Sequence, residues 1–302
     1  MTYNILKKHI FLPIVALVVA TFLGCTTTNA NDEQTKEQTM TVISQDGTQI
    51  AYEQSGEGPV LVSVGGAFYH RGFPVPPGWE LMEEHFAVVT YDRRGRGESG
   101  DTQPYTVERE IEDLAAIIDA VGREVFVLGT SSGAVLALDA AAAGLPIAKL
   151  ALYEPPFIVD DSRAPLPEDY LAQLSAMVGE GRRGDAVEYF MTQAVGMPAD
   201  AVAPMRALDF WPAFEAVAHT LAYDGTIMGS TMSGNPLPND RWNSVTVPTL
   251  AIAGGASPAY QQAGVQALAE LLPSARYRSL PGQTHDVSPE ALVPALVEFF
   301  KN

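Results

Sequence analysis

The chain contains a single cysteine, Cys25, so it cannot form a disulfide bond within itself. Positive charge is also scarce, because 18 Lys and Arg residues stand against 36 Asp and Glu residues, for a formal net charge of -18. A surface of this sign repels phosphate backbones, which argues against a nucleic-acid partner. The five histidines lack the paired spacing of a metal-ligand cluster, and no Walker or Rossmann glycine-rich loop occurs. The sequence therefore predicts neither a metal site nor a cofactor.

The N-terminus has the pattern of a signal peptide over residues 1–24. Lys7 and Lys8 form a short positive region, and an apolar stretch follows from Ile10 to Leu23. This stretch is shorter than the roughly 20 residues that a transmembrane helix needs, and Pro13 interrupts it. The pattern therefore favours cleavage and export over a membrane span.

The segment Phe22-Leu23-Gly24-Cys25 resembles the lipobox of bacterial lipoproteins, although Phe22 stands where a leucine is usual. In that family the cysteine thiol is lipidated and becomes the new N-terminus. The resemblance implies export to the cell envelope and a lipid anchor at Cys25, on the periplasmic or the extracellular face of a bacterial membrane. The alternative is an ordinary signal peptide followed by an unmodified cysteine.

The globular part of the chain is expected to begin at Met40. Residues 25–39 contain no large apolar side chain and are predicted to form a flexible tether. From Met40 to Tyr52, two β-prone runs flank the turn dipeptide Asp46-Gly47, which predicts a β-hairpin.

Beyond the hairpin, strand-length apolar runs alternate with helical patterns, which predicts an α/β fold with a mostly parallel sheet and helices on both faces. The predicted strands cover residues 60–64, 86–91, 125–128, 150–153, 249–253 and 276–280. Residues 156–244 show only helical segments separated by Pro and Gly, and they are predicted to form an inserted helical cap. The core of the domain would then comprise residues 40–155 and 245–302.

A nucleophilic serine is predicted where the strand at 125–128 meets the next helix. There the chain reads Gly129-Thr130-Ser131-Ser132-Gly133, which is the G-x-S-x-G elbow in its strand-turn-helix context. The turn forces Ser131 into a strained conformation, and the flanking glycines let neighbouring backbones approach. The spacing selects Ser131 over Ser132, whose backbone N–H is expected to serve the oxyanion hole.

The second oxyanion donor is expected from the loop Gly65-Gly66-Ala67-Phe68, with Ala67 as first choice and Gly66 as second. A plain tight turn is the alternative interpretation of this loop. The general base is predicted to be His285, which follows the last strand in the chain order expected for such enzymes. The other histidines of the exported chain are expected to pack or to face solvent. They are His70, His85 and His219.

With these motifs, residues 40–301 resemble the α/β-hydrolase superfamily. The resemblance is carried by the elbow at 129–133, by Thr284-His285-Asp286, and by residues 91–99, which are similar to the D-x-R-G-x-G-x-S turn of many members. The last of these motifs is structural in the family. The resemblance implies a serine hydrolase with an inserted cap.

The acid that orients His285 departs from the common family pattern. Most members carry an Asp after the penultimate strand, but residues 254–258 contain no carboxylate here. Some haloalkane dehalogenases place the acid after the strand that follows the nucleophile helix, and Glu154 occupies that position. Glu154 is therefore the predicted acid. Asp160, Asp161 and Asp286 remain alternatives, as does a dyad without an acid.

The predicted activity is carboxylesterase-like, the cleavage of a small or medium ester through an acyl-enzyme. Dehalogenases and epoxide hydrolases of the superfamily need an Asp nucleophile and do not fit. Amide and carbon-carbon bond hydrolysis use the same triad and stay open, as do a non-catalytic surface binding protein and a structural envelope lipoprotein. The apolar cap residues either cover the site or form the cap's own core. They are Met191, Phe210, Trp211 and Met228.

Overall fold

The computed structural model describes residues 39–73, 77–122 and 124–302. The predicted signal peptide, the predicted lipidation site Cys25 and the predicted tether up to residue 38 lie outside the described residues.

The fold is built on one eight-stranded sheet with the order β1-β2-β4-β3-β5-β6-β7-β8. Its strands are β1 (Met40–Ile43), β2 (Gln49–Ser55), β3 (Val60–Val64), β4 (Ala87–Tyr91), β5 (Val125–Thr130), β6 (Ile147–Tyr153), β7 (Thr249–Gly254) and β8 (Ala275–Leu280). The six strands β4, β3, β5, β6, β7 and β8, in this spatial order, pair in parallel with their neighbours. Strand β2 pairs antiparallel with both β1 and β4. The predicted mostly parallel sheet is confirmed.

The antiparallel start of the sheet is the predicted hairpin. Met40 lies opposite Tyr52 in the β1–β2 pair. In the turn, Thr48 N–H donates to Asp46 Oδ1 at 3.0 Å, and Gly47 has a φ of 86°. An aspartate that accepts from the backbone two residues ahead, followed by a glycine at positive φ, is what a tight turn requires.

Nine α-helices accompany the sheet in the described residues. They are α1 (Val107–Val121), α2 (Ser132–Ala142), α3 (Tyr170–Gly179), α4 (Arg183–Phe190), α5 (Ala199–Val202), α6 (Trp211–Ala216), α7 (Leu221–Met228), α8 (Ala259–Leu271) and α9 (Pro289–Lys301). Short 3-10 turns cover Trp79–Met82, Ala203–Ala207, Ala218–Thr220 and Gly229–Met232, and one π-helical turn covers Met191–Val195.

Helices cover both faces of the sheet, as predicted. One core cluster joins α1, α2 and α8 to one face, and a second joins α9 to the other. Helix α1 shows why: Leu114, Ile117 and Ile118 form a fully buried stripe at helical spacing. On the opposite face the ring of Phe300 in α9 stacks on Phe126 at 4.7 Å. This double cover explains why the central parallel strands are apolar on both sides.

The segment between β6 and β7 is helical. Residues 156–244, called the cap segment below, hold α3 to α7 and no strand. Arg241 pairs with Asp139 of α2 through two nitrogens at 3.0 and 2.7 Å, and Trp242 Nε1–H donates to the same carboxylate at 2.8 Å. The C-terminal part of the cap segment is thereby tied to the helix that follows the serine.

Within residues 39–73, 77–122 and 124–302, no helix combines the length and the apolar character that crossing a bilayer requires.

Candidate active site

Ser131 lies at the turn between β5 and α2 in a strained backbone conformation, with φ 57° and ψ -128°. Its N–H donates to Tyr153 O at the end of β6, at 2.9 Å. A Cβ on Gly129 would lie 2.6 Å from Ala134 Cα, and a Cβ on Gly133 would lie 2.2 Å from a backbone oxygen of β3. Both glycines of the elbow are therefore required by close backbone contacts, as its sequence pattern predicts.

The loop from Gly65 to Phe68, called the oxyanion loop below after its predicted role, lies directly beside the serine, because a Cβ on Gly66 would come within 2.8 Å of Ser131 Cβ. Ala67 N–H has no hydrogen-bond partner among the described residues. Ser132 N–H belongs to the first turn of α2, where backbone donors lack partners within the helix. The loop and the helix start thus offer N–H groups on two sides of Ser131, the arrangement that an oxyanion hole needs.

His285 and Glu154 form a direct pair. His285 Nδ1 lies 2.8 Å from Glu154 Oε2, and Gly254 N–H donates to Glu154 Oε1 at 2.7 Å. Glu154 is 0% exposed, whereas 37% of the His285 side chain is accessible. Burying a carboxylate is costly unless its oxygens are paired, and here both are. The carboxylate is therefore held rigidly against one edge of a histidine whose other edge remains available.

The loop after β7 contributes a donor where most family members carry an acid. A Cβ on Gly254 would lie 2.5 Å from Gln283 O, and a Cβ on Gly255 would lie 3.0 Å from Leu280 O. The backbone is too crowded there for side chains. Gly254 instead presents its N–H to Glu154, so the end of β7 holds an acid that the neighbouring strand β6 supplies.

None of the alternative acids is hydrogen-bonded to His285. Asp160 is exposed and accepts from Ser162 N–H at 3.0 Å. Asp161 and Asp286 are also exposed, and no hydrogen bond joins either of them to His285. The geometry therefore favours Glu154 as the orienting acid.

Gln261, which the sequence analysis missed, also contacts the histidine. It is buried in the first turn of α8, and its side-chain amide lies 3.0 Å from His285 Nδ1. The amide therefore packs against the edge of the imidazole ring that faces Glu154. Its position just after the loop 254–258 is the one sequence feature that could have suggested it.

Ser131 and His285 are anchored on the same strand end but are not hydrogen-bonded to each other. Tyr153 accepts from Ser131 N–H, its hydroxyl donates to Thr284 O, and Glu154 follows it in the chain. Ser131 Oγ itself has no hydrogen-bond partner among the described residues. The hydrogen bond between a nucleophilic serine and its histidine is often long in an enzyme without substrate, and it shortens in the substrate complex.

None of the other described histidines makes a hydrogen bond to Ser131. His70 is half-buried after the oxyanion loop, and this burial lowers its pKa. His219 lies 3.7 Å from Asp101 in a 3-10 turn, and its pKa is also lowered by burial. His85 packs edge-on against Phe86.

An aromatic wall of the cap segment contacts the oxyanion loop. The ring of Phe68 stacks on Phe214 at 4.4 Å and meets Phe190 edge-on at 5.2 Å. The four apolar residues singled out from the sequence are all buried. Of these, Met228 belongs to the core cluster on the α2 face of the sheet. The structure therefore places Phe68, Phe190 and Phe214 next to the predicted site, a contact that the sequence did not predict.

In the part of the chain that the structure describes, no group of three or more His, Cys, Asp or Glu side chains is placed to hold a metal ion.

A serine at a strained strand-to-helix turn and a histidine after the last strand, on a mostly parallel sheet, define the class of α/β-fold hydrolases. The chain belongs to the alpha/beta hydrolase family, whose model matches residues 60–295.

Similar proteins agree with this assignment. A crystal structure of an alpha/beta hydrolase from Sphaerobacter thermophilus is 57% identical, with a TM-score of 0.80, and the match covers 86% of this chain and 100% of that one. The bifunctional esterase/perhydrolase DCH of Acinetobacter calcoaceticus is 28% identical over 157 residues, 47% of this chain and 55% of that protein. The hydrolase YraK of Bacillus subtilis is 31% identical over 103 residues, 31% of this chain and 35% of that protein. The chain thus spans between a third and just over half of these two curated relatives.

Proposed function

We propose that this protein is a serine hydrolase that cleaves a small or medium carboxylic ester through an acyl-enzyme. The observation that carries the proposal is the contact of His285 with a fully buried Glu154 at 2.8 Å, on the strand end that also holds Ser131. A serine, a histidine and an orienting carboxylate in this arrangement supply nucleophile, base and acid.

In the proposed mechanism, His285 keeps a proton on Nδ1, and its Nε2 accepts and then releases the proton that is transferred. With Nδ1–H donated to Glu154, His285 Nε2 is the free base that takes the proton of Ser131 as its hydroxyl attacks the substrate carbonyl. The backbone N–H groups of Ala67, Gly66 and Ser132 stabilise the oxyanion that forms. The imidazolium then protonates the leaving alcohol, and water attacks the acyl-enzyme with His285 again acting as base.

An ester is the preferred substrate class for two reasons. DCH of Acinetobacter calcoaceticus, similar over 157 residues, is named an esterase. The rings of Phe68, Phe190 and Phe214 give the oxyanion loop an apolar neighbour suited to the carbon skeleton of an ester. The binding-protein alternative rested on the missing acid after β7, and the position of Glu154 removes that support.

A fluorophosphonate probe tests this proposal on a form lacking residues 1–25. We expect stoichiometric labelling, mapped to Ser131 by mass spectrometry and absent from Ser131→Ala, together with hydrolysis of p-nitrophenyl esters. Parallel assays with anilides and with vinylogous 1,5-diketones separate ester cleavage from amide and carbon-carbon cleavage. A folded wild-type protein that takes up no label would support the binding-protein interpretation instead.

We also propose that the protein is exported and anchored to a bacterial membrane through a lipid on Cys25. The basis is the positive and apolar N-terminal pattern that ends in Phe22-Leu23-Gly24-Cys25. We expect the full-length chain to fractionate with membranes and to incorporate an alkyne-tagged palmitate in a bacterial host. Cys25→Ser should lose both properties, while Thr27→Ser should keep them. Membrane fractionation and palmitate labelling that persist in Cys25→Ser would refute the anchor.

A further inference from the structure

A buried ionic cluster joins the cap segment to the site. Asp224 of α7 accepts from Arg93 Nη1 at 2.8 Å and from Arg96 Nη2 at 2.7 Å. Arg93 is also held by both oxygens of Glu110, each at 2.7 Å. The side chains of all four residues are at most 3% exposed. Burial opposes the ionised form of Asp224, but Arg96 and Arg93 overcome it and lower the pKa of this carboxyl.

The two arginines also hold the oxyanion loop. Arg96 Nη1 donates to Gly66 O at 2.6 Å, and Arg93 Nη1 donates to Gly65 O at 3.3 Å. A peptide unit is planar and trans, so its C=O and the following N–H point in opposite directions. Fixing Gly66 O therefore fixes the N–H of Ala67, and fixing Gly65 O fixes the N–H of Gly66.

The same carboxylate reaches the other side of the predicted oxyanion hole. Ser132 Oγ donates to Asp224 Oδ1 at 2.7 Å. Ser132 follows the nucleophile directly, and its backbone N–H is the remaining donor. One side chain of the cap segment is thus linked to both elements that present an oxyanion donor, directly to Ser132 and through the two arginines to the oxyanion loop.

Stability alone gives a weak reason for this cluster. Taking charges out of water costs much of what their attraction returns, and apolar residues of similar volume often stabilise a fold equally well. A charged cluster can, however, set hydrogen-bond donors in position before the reaction, which is how an oxyanion hole accelerates acyl transfer.

We propose that Asp224 is a positioning residue that sets the oxyanion hole from the cap segment, through Arg96, Arg93 and the Ser132 hydroxyl. The inference rests on the proposed serine hydrolase function and extends it. Productive alignment of the donors then depends on how α7 packs against the elbow, so the packing of the cap segment and the activation of the site are coupled.

The test compares Asp224→Asn with Asp139→Asn, which removes a carboxylate from another ion pair between the cap segment and α2. Active-site titration with a fluorophosphonate gives the number of competent sites in each preparation. Per titrated site, Asp224→Asn should lower kcat by about 10- to 100-fold, because the donors are misplaced and not deleted. KM should change by less than about threefold, and an alkylboronic acid that forms a tetrahedral adduct should bind more weakly in proportion to kcat/KM. Asp139→Asn should keep the wild-type kcat per site.

The remaining outcomes also decide the question. If Asp224→Asn does not fold, Ser132→Ala keeps every ion pair and should still lower kcat per site several-fold with an unchanged KM. A wild-type kcat per site in Asp224→Asn, or in Ser132→Ala if that variant is needed, would overturn the positioning role and leave the hydrolase function intact. A wild-type enzyme that cannot be titrated would refute the proposed function, and this inference with it.

Discussion

Ser131→Ala is expected to lower kcat/KM for a p-nitrophenyl ester by at least about 1000-fold, because no other group can form the acyl-enzyme. The hydroxyl group of the adjacent residue, Ser132, provides a matched control. Ser132 is buried and donates to Asp224, so its side chain is directed away from any nucleophilic role. Ser132→Ala should therefore lose only several-fold.

The fold should survive this substitution. Ser131 has a φ of 57° whether or not it carries a hydroxyl, and its N–H still donates to Tyr153 O. Alanine is no more strained than serine in this conformation, so the midpoint of thermal unfolding should move by less than about 4 °C. Near-wild-type hydrolysis by Ser131→Ala, or a larger loss in Ser132→Ala, would show that the elbow was assigned to the wrong serine.

Glu154→Gln is expected to lower kcat by about 100- to 10,000-fold with a small change in KM. Glutamine keeps the size of the side chain but removes its charge, and its amide can donate to His285 Nδ1. The ring is then held in the tautomer that carries its proton on Nε2, where it cannot accept one from Ser131. The developing imidazolium also loses the buried counter-charge that lies 2.8 Å away.

Steady-state kinetics on three control variants separate Glu154 from its rivals. Asp160→Asn and Asp161→Asn change exposed carboxylates, and Asp286→Asn changes the residue next to the histidine. Each should retain kcat within about threefold, because all three carboxylates are exposed and none of them is hydrogen-bonded to His285. Full activity in Glu154→Gln together with a large loss in one of these three variants would transfer the role of the acid to that residue.

The parts of the fold that could be predicted are those with a local signal. Central strands are apolar because helices cover both faces, so their sequence runs were visible, and the strand at 60–64 was predicted with its observed bounds. The ends of the strands were predicted less accurately. The strands predicted at 125–128 and 150–153 are longer in the structure, where β5 continues to Thr130 and β6 begins at Ile147, because hydrogen bonding to neighbouring strands extends past the apolar run. The turn at Ser131 was predictable because close backbone contacts demand glycine at fixed spacing.

The sequence gives no comparable local signal for contacts between residues that are far apart in the chain. Glu154 and His285 are 131 residues apart, and Ser132 and Asp224 are 92 apart. Gln261 carried no motif at all, yet it lies beside His285. Contacts of this kind depend on which strands pair and on how the cap segment packs. The sequence therefore favoured Glu154 but left Asp160, Asp161 and Asp286 open as alternatives.

The sequence alone thus predicted the hydrolase fold, which is confirmed, and proposed Ser131 and His285 as nucleophile and base, since each prediction depends on a short stretch whose backbone geometry restricts the residues allowed. Glu154 was already the predicted acid, but its contact with His285 and the hydrogen bond from Gly254 N–H were visible only in the tertiary structure. The same holds for the link from Asp224 through Arg96 to the oxyanion loop. The physical reason is that a buried charge is tolerated only where partners from distant segments converge on it, and that convergence exists only in three dimensions.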